Sequence, residues 1–189
     1  MKLKLTVLLV VLAACDRATT GSHIPSYEQP QVALVVVDGR EAMHDRDAVI
    51  AATNRLIDSA RPQGVELLYV REHPEAAPDS GIRIATDKVF ASQRGDAFSN
   101  PDLDKFLRER SVDHLVFAGS LVDPSVELTA EGALNRGYKV MIAADALAAA
   151  SEARRGRAIA SLQRAGAEIS DSERVVAEWT RRKHYLGSR

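Results

Sequence analysis

Asp113–Ala144, DHLVFAGSLVDPSVELTAEGALNRGYKVMIAA, reads as strand, turn, helix, turn, strand. Leu115–Gly119 is a short apolar run ending in glycine, the pattern of a strand buried in a parallel sheet. Asp123 and Pro124 then open a helix, an N-cap acceptor followed by proline at the first helical position. Val126, Thr129, Ala130, Ala133 and Leu134 recur at helical spacing, and Gly137 ends the helix. KVMIAA, beginning at Lys139, is the next strand. The unit predicts Ser125 in the first turn of a helix, just outside the carboxyl end of a strand. In open α/β sheets that is where ligands and chemistry collect.

The same alternation extends in both directions. QVALVVVD is a buried first strand ending at Asp38, and Asp47–Arg61 is a helix with Val49, Ile50, Leu56 and Ile57 partly in register, broken by Gly64. VELLYV is a second strand, Arg71–Asp87 a loop with two prolines and Gly81, and Lys88–Ala91 a short strand. Pro101–Arg110 is a helix with Leu103, Phe106 and Leu107 on one face. Beyond the opening unit come an alanine-rich helix over Ser151–Ala165, a short strand GAEIS and a last helix over Ser172–Lys183. Strands alternating with helices predict an α/β fold, a parallel sheet covered on both faces. The 189 residues support one domain; the net charge of −1 and 46% apolar content are those of an ordinary globular chain, with no basic excess for nucleic acid.

The N-terminus reads differently. MKLKLTVLLVVLAAC has two lysines followed by an apolar run from Leu5 to Ala14, too short to span a bilayer and patterned as a secretory signal peptide. Leu12-Ala13-Ala14-Cys15 resembles a bacterial lipobox, in which the cysteine is lipidated and becomes the new N-terminus. The predicted organisation is a signal peptide over 1–14, lipidated Cys15 and a polar tether over 15–31, a domain over 32–180 and a C-terminal tail over 181–189. This implies a cell-envelope protein held to a bacterial membrane by lipid and facing the periplasm, at the inner membrane if Asp16 acts as a retention signal. Cys15 is the only cysteine, so no thiol is available elsewhere in the chain.

The opening segment is also similar to the active-site stretch of the isochorismatase-like superfamily, the cysteine hydrolases. Its members have a strand ending in glycine, then Cys-Val-Glu-x-Thr-Ala and Arg-Gly-Tyr-x-Val. Gly119, Val126, Glu127, Thr129, Ala130, Arg136, Gly137, Tyr138 and Val140 carry the match, and Ser125 stands where the family has its nucleophilic cysteine. The resemblance covers roughly Val32–Glu178 and implies a Rossmann-like three-layer α/β/α sandwich with a parallel sheet of about six strands.

The resemblance also implies a catalytic set. Family members use an aspartate at the end of the first strand, a lysine and the cysteine. Asp38 matches the aspartate, as general acid or base; the family glutamine two residues on is Arg40 here. The lysine has no single match. Aligned without a gap on Phe98, Leu103 and Leu107, its place is taken by Ser92; Lys88 lies four residues earlier, and Arg94 is a second cation. The expected catalytic residues are thus Asp38, Lys88 and Ser125, with Arg40, Ser92, Arg94 and Gly119 lining the substrate. A helix N-terminus helps a thiol ionise but cannot make an alkoxide from serine without an adjacent base. Ser125 therefore reads either as a serine nucleophile or as a good first-turn residue. True isochorismatases dispense with the cysteine, protonating a vinyl ether with a carboxylic acid, a route that tolerates serine at 125.

No metal or cofactor is expected. Zinc-binding relatives place an aspartate and histidines after the second strand, whereas Arg71-Glu72-His73-Pro74-Glu75 offers one histidine, and His23, His44, His114 and His184 are scattered. GSLVDPS lacks the spacing of a phosphate-binding glycine loop. Two functions follow: a hydrolase of a small molecule, splitting an amide or a vinyl ether with a degenerate triad, or a pseudoenzyme that binds a ligand or a protein in the envelope. Expected partners are a small molecule and the membrane, not nucleic acid, with self-association into a homo-oligomer left open.

Overall fold

The computed structural model describes residues 31–38, 44–71, 81–83, 85, 88–120 and 125–187. Six strands, β1 (Gln31–Asp38), β2 (Glu66–Arg71), β3 (Val89–Ala91), β4 (Val112–Ser120), β5 (Lys139–Ala148) and β6 (Glu168–Ser170), form one sheet in the order β3-β2-β1-β4-β5-β6. Every neighbouring pair is parallel. The chain therefore winds outward from β1 to β3, returns to β4 beside β1, and winds the other way to β6. The β1/β4 boundary is the switch point at which such sheets open a crevice.

Alternation along β1 divides the core. Ala33, Val35 and Val37 pack on one face with Leu103 and Leu107 of α2 (Pro101–Glu109), Val126, Ala130 and Ala133 of α3 (Ser125–Leu134), and Ala158 and Leu162 of α4 (Glu152–Ala165). Val32, Leu34 and Val36 pack on the other with Ala52, Leu56, Ile57 and Ala60 of α1 (Arg46–Ala60) and Val175 and Trp179 of α5 (Ser172–Gly187). A strand buried on both sides has no polar face to show, which is why it reads as a continuous apolar run. The three-layer α/β/α sandwich and the six parallel strands agree with the sequence reading.

Helix ends follow their local chemistry. The Asn100 side chain accepts from the Asp102 N–H ahead of Pro101, and the Ser151 side chain accepts from the Arg154 N–H. The predicted Asp123 cap lies outside the described residues. The last helix continues to Gly187, so residues 181–187 belong to it rather than to a tail. The strand begun by KVMIAA also runs on, to Ala148, after a register jump: Phe117 faces Ile142, but Gly119 faces Leu147. Four residues of β5 thus fill the space of one between those pairs. Alanine carries little strand preference, so the run AADALA gave the sequence reading no signal there.

Candidate active site

Two residues at the switch point set its backbone. Asp38 is the last residue of β1, in Cα register with Arg71 of β2. Gly119, on β4 next to it, has φ +112, and a Cβ there would lie 2.1 Å from the carbonyl oxygen of Val37. Only glycine lets β4 approach β1 this closely one residue before Asp38.

Ser125 is the first residue of α3 and is 5% exposed. The rest of its motif is structural. Thr129, one turn on, accepts from the Ala97 N–H at 3.1 Å and donates to the Gly95 carbonyl at 3.1 Å, both bonds buried. This fastens the turn that follows β3 to the first turns of α3. Asp96 tightens that turn by accepting from the Phe98 N–H at 2.8 Å. Arg136 stacks over the Phe98 ring, 4.8 Å from its centroid, and donates to the Phe98 carbonyl at 3.3 Å. The Tyr138 hydroxyl donates to Asp104 of α2 at 2.8 Å. Burial first, then this bond and the Asp104 charge, pushes the Tyr138 phenol up to about 12. Asp104 loses some solvation, but its bonds from Arg108 and Tyr138 outweigh this and hold the carboxyl below its ordinary value.

The residues that the sequence offered for the lysine's place fall in different positions. Ser92 follows β3, is 4% exposed, and donates its N–H to the Arg71 carbonyl at 2.9 Å. Arg94 is exposed on the Gln93–Asp96 turn with φ 51. Lys88 is exposed at the amino end of β3, lining a surface hollow with Arg61, Gly64 and Glu66. Four residues of extended chain, about 13 Å, separate it from Ser92. The structure does not bring Lys88 to the carboxyl edge. Arg40, Cys15 and the Asp38 side chain lie outside the described residues.

One residue at this edge was missed. Arg71 ends β2 rather than beginning a loop, pairs in register with both Asp38 and Ala91, and is 8% exposed. The signal was present: a charged residue closing the apolar run VELLYV, as Asp38 closes VALVVV. A separate cavity of about 230 Å³ opens at the opposite, amino edge between Val32, His114, Lys139, Glu168 and Trp179. It is a strand length from Ser125 and mixes both charge signs. Among the described residues no group of three His, Cys, Asp or Glu is placed to hold a metal.

Fold and edge together define an α/β protein of the doubly wound class with its candidate site at the switch point. Residues 29–174 match the isochorismatase domain, and the chain belongs to the isochorismatase family. It is 28% identical over 137 residues to streptothricin hydrolase of Streptomyces noursei, aligning 62% of this chain with 54% of that protein. The chain thus spans about half the length of that relative. It is 27% identical over 182 residues to YecD, an uncharacterized isochorismatase family protein of Escherichia coli O157:H7, covering 76% of this chain and 94% of that one. Among solved structures, a cysteine hydrolase from Pseudomonas syringae pv. phaseolicola superposes with TM-score 0.68 at 18% identity, covering 79% of this chain and 92% of the other.

Proposed function

We propose that this protein is a membrane-anchored hydrolase of a small molecule that works by proton transfer from Asp38, with Ser125 lining the site in place of the family cysteine. The observation that carries the reading is Ser125 itself: the first residue of α3, buried at the switch-point edge. The chain's single cysteine is Cys15, in the leader-like N-terminus. Without a thiol at the helix N-terminus, the covalent route to amide hydrolysis loses its nucleophile. Acid catalysis does not need one. Asp38, protonated, gives its proton to the terminal carbon of a vinyl ether; water adds to the resulting oxocarbenium ion; the hemiketal collapses to an alcohol and a carbonyl, and the proton returns to Asp38. The likeness to streptothricin hydrolase supports a hydrolase. The lipobox-like Leu12–Cys15 supports the anchor.

A second reading, a binding module without catalysis, is favoured by one observation: Lys88 is at the far end of β3, and Ser92 stands at the lysine's ungapped position. Turnover of isochorismate by the purified chain separates the two. Asp38→Asn is expected to lower kcat/KM by about 10²–10⁴, the usual worth of a positioned acid, while Ser125→Ala stays within about threefold. Activity that survives iodoacetamide but disappears in Ser125→Ala makes Ser125 a nucleophile and overturns the acid-only route. Ligand binding with no turnover of isochorismate or of small amides leaves the binding module.

A further inference from the structure

Among the described residues the buried polar set is Thr53, Arg71, Ser92, Ser125, Thr129 and Ser172, and Arg71 is its only charged member. A buried charge is expensive unless it is held by partners, and arginine is seldom kept inside a fold without a task. Arg71 is not a free group. Its location is specific: the carboxyl end of β2, in register with Asp38 on one side and Ala91 on the other. Its carbonyl oxygen anchors the N–H of Ser92. The two described cations that the sequence offered compare poorly. Lys88 is exposed at the opposite end of β3, and Arg94 is exposed on a turn.

We infer that Arg71 is the fixed cation of this site and that the site takes a small carboxylate, held by the guanidinium. The inference rests on the small-molecule site proposed above and names its ligand class. Strand neighbours in a parallel sheet lie about 4.8 Å apart, so the backbone of Arg71 is one strand from that of Asp38. Exchanging a lysine beyond β3 for an arginine at the end of β2 changes the chemistry as well as the address. A lysine ammonium is a point charge that can give up its proton; a guanidinium stays charged and offers a planar fork that matches the two oxygens of a carboxylate. Arg71 therefore binds and orients an anion and relays no proton.

Benzoate and benzamide, nearly equal in shape and different in charge, provide the test by calorimetric titration of the full chain. Benzoate is expected to bind wild type at least about tenfold more tightly than benzamide. Arg71→Met should abolish that preference while leaving benzamide affinity within about threefold, and Arg71→Lys should restore part of it. Thermal melts of both variants establish that the fold is kept; if Arg71→Met does not fold, the several-fold loss of benzoate preference in Arg71→Lys carries the test. The inference is overturned if wild type binds neither probe at millimolar concentration or shows no preference, if the preference survives both substitutions, or if affinity for the two probes falls equally. Arg71-dependent benzoate binding without turnover of any vinyl ether or amide sinks the hydrolase and leaves this inference standing. Asp38-dependent turnover with no Arg71-dependent preference does the reverse.

Discussion

A methyl group added at Gly119 would sit 2.1 Å from the Val37 carbonyl oxygen, on a backbone with φ +112. Neither atom can yield, because both belong to paired strands at the centre of the sheet. Gly119→Ala is therefore expected to destabilise by about 3 kcal/mol or more, which lowers the melting temperature of a domain this size by roughly 6–12 °C. Gly64→Ala is the control: its φ is +70, but nothing lies within 4 Å of the added carbon. It should cost only about 1–2 kcal/mol, the strain of the left-handed backbone alone. Equal losses in the two variants would show that the contact with Val37 does not constrain the edge. The same scale explains what was readable at the site. The places of Asp38, Gly119 and Ser125 in the fold were legible because each follows or closes a recognisable apolar run or helix start. Arg71 gives the same signal, but the loop reading absorbed it. Lys88 and Ser92 are four letters apart, and only the pairing of Tyr69 with Val89 decides which one stands beyond the strand.

At the scale of elements, the motif that reveals the family is mostly a set of fasteners. Thr129 pins the turn after β3 to α3, Arg136 holds Phe98, and Tyr138 ties the start of β5 to α2 through Asp104. Tyr138→Phe removes that last tie and is expected to cost about 1 kcal/mol at neutral pH. The loss should depend on pH. The Tyr138 phenol is raised from its ordinary 10.0 to about 12, so its contribution is whole below pH 10 and drains away as pH rises toward 12. The phenylalanine variant does not titrate, so the gap between the two unfolding curves should close over that window. Asp104 acts at the other end: its carboxyl is held below the ordinary 3.8, so its contribution is whole above that value and fades as pH falls through the lowered one. A gap between wild type and Tyr138→Phe that stays constant from pH 8 to 12 would refute the role of the phenol. Element order was legible because strand and helix periods alternate cleanly from Gln31 to α5. The length of β5 was not: its second half, Ala144–Ala148, is three alanines with only Asp145 and Leu147 between them, too little to show a period, and its register jump depends on the partner strand.

For the molecule as a whole, the direction of β1 links the proposed anchor to the proposed site. The strand enters the sheet at Gln31 and ends at Asp38, so the segment leading back to Cys15 leaves from the amino edge while Asp38 and Ser125 are at the carboxyl edge. Eight residues of strand separate the two edges by about 26 Å. A lipid on Cys15 would then hold the amino edge toward the membrane and leave the site facing the aqueous phase. Among the described residues no helix is long and apolar enough to cross a membrane, so the anchor rests on the N-terminal sequence alone. Two acyl chains anchor stably, at about 0.8 kcal/mol per buried CH₂. Cys15→Ala is expected to leave the protein unprocessed or to release it to the soluble fraction. Because the tether and the site are on opposite edges, kcat/KM for a water-soluble substrate should stay within about twofold of the lipidated form. Mass spectrometry of protein from the native host showing an intact Met1 or an unmodified Cys15 would remove the anchor. A fall in kcat/KM on release, with the melting temperature unchanged, would instead mean that the membrane surface takes part at the site, and that the opposite-edge geometry does not describe how the protein works.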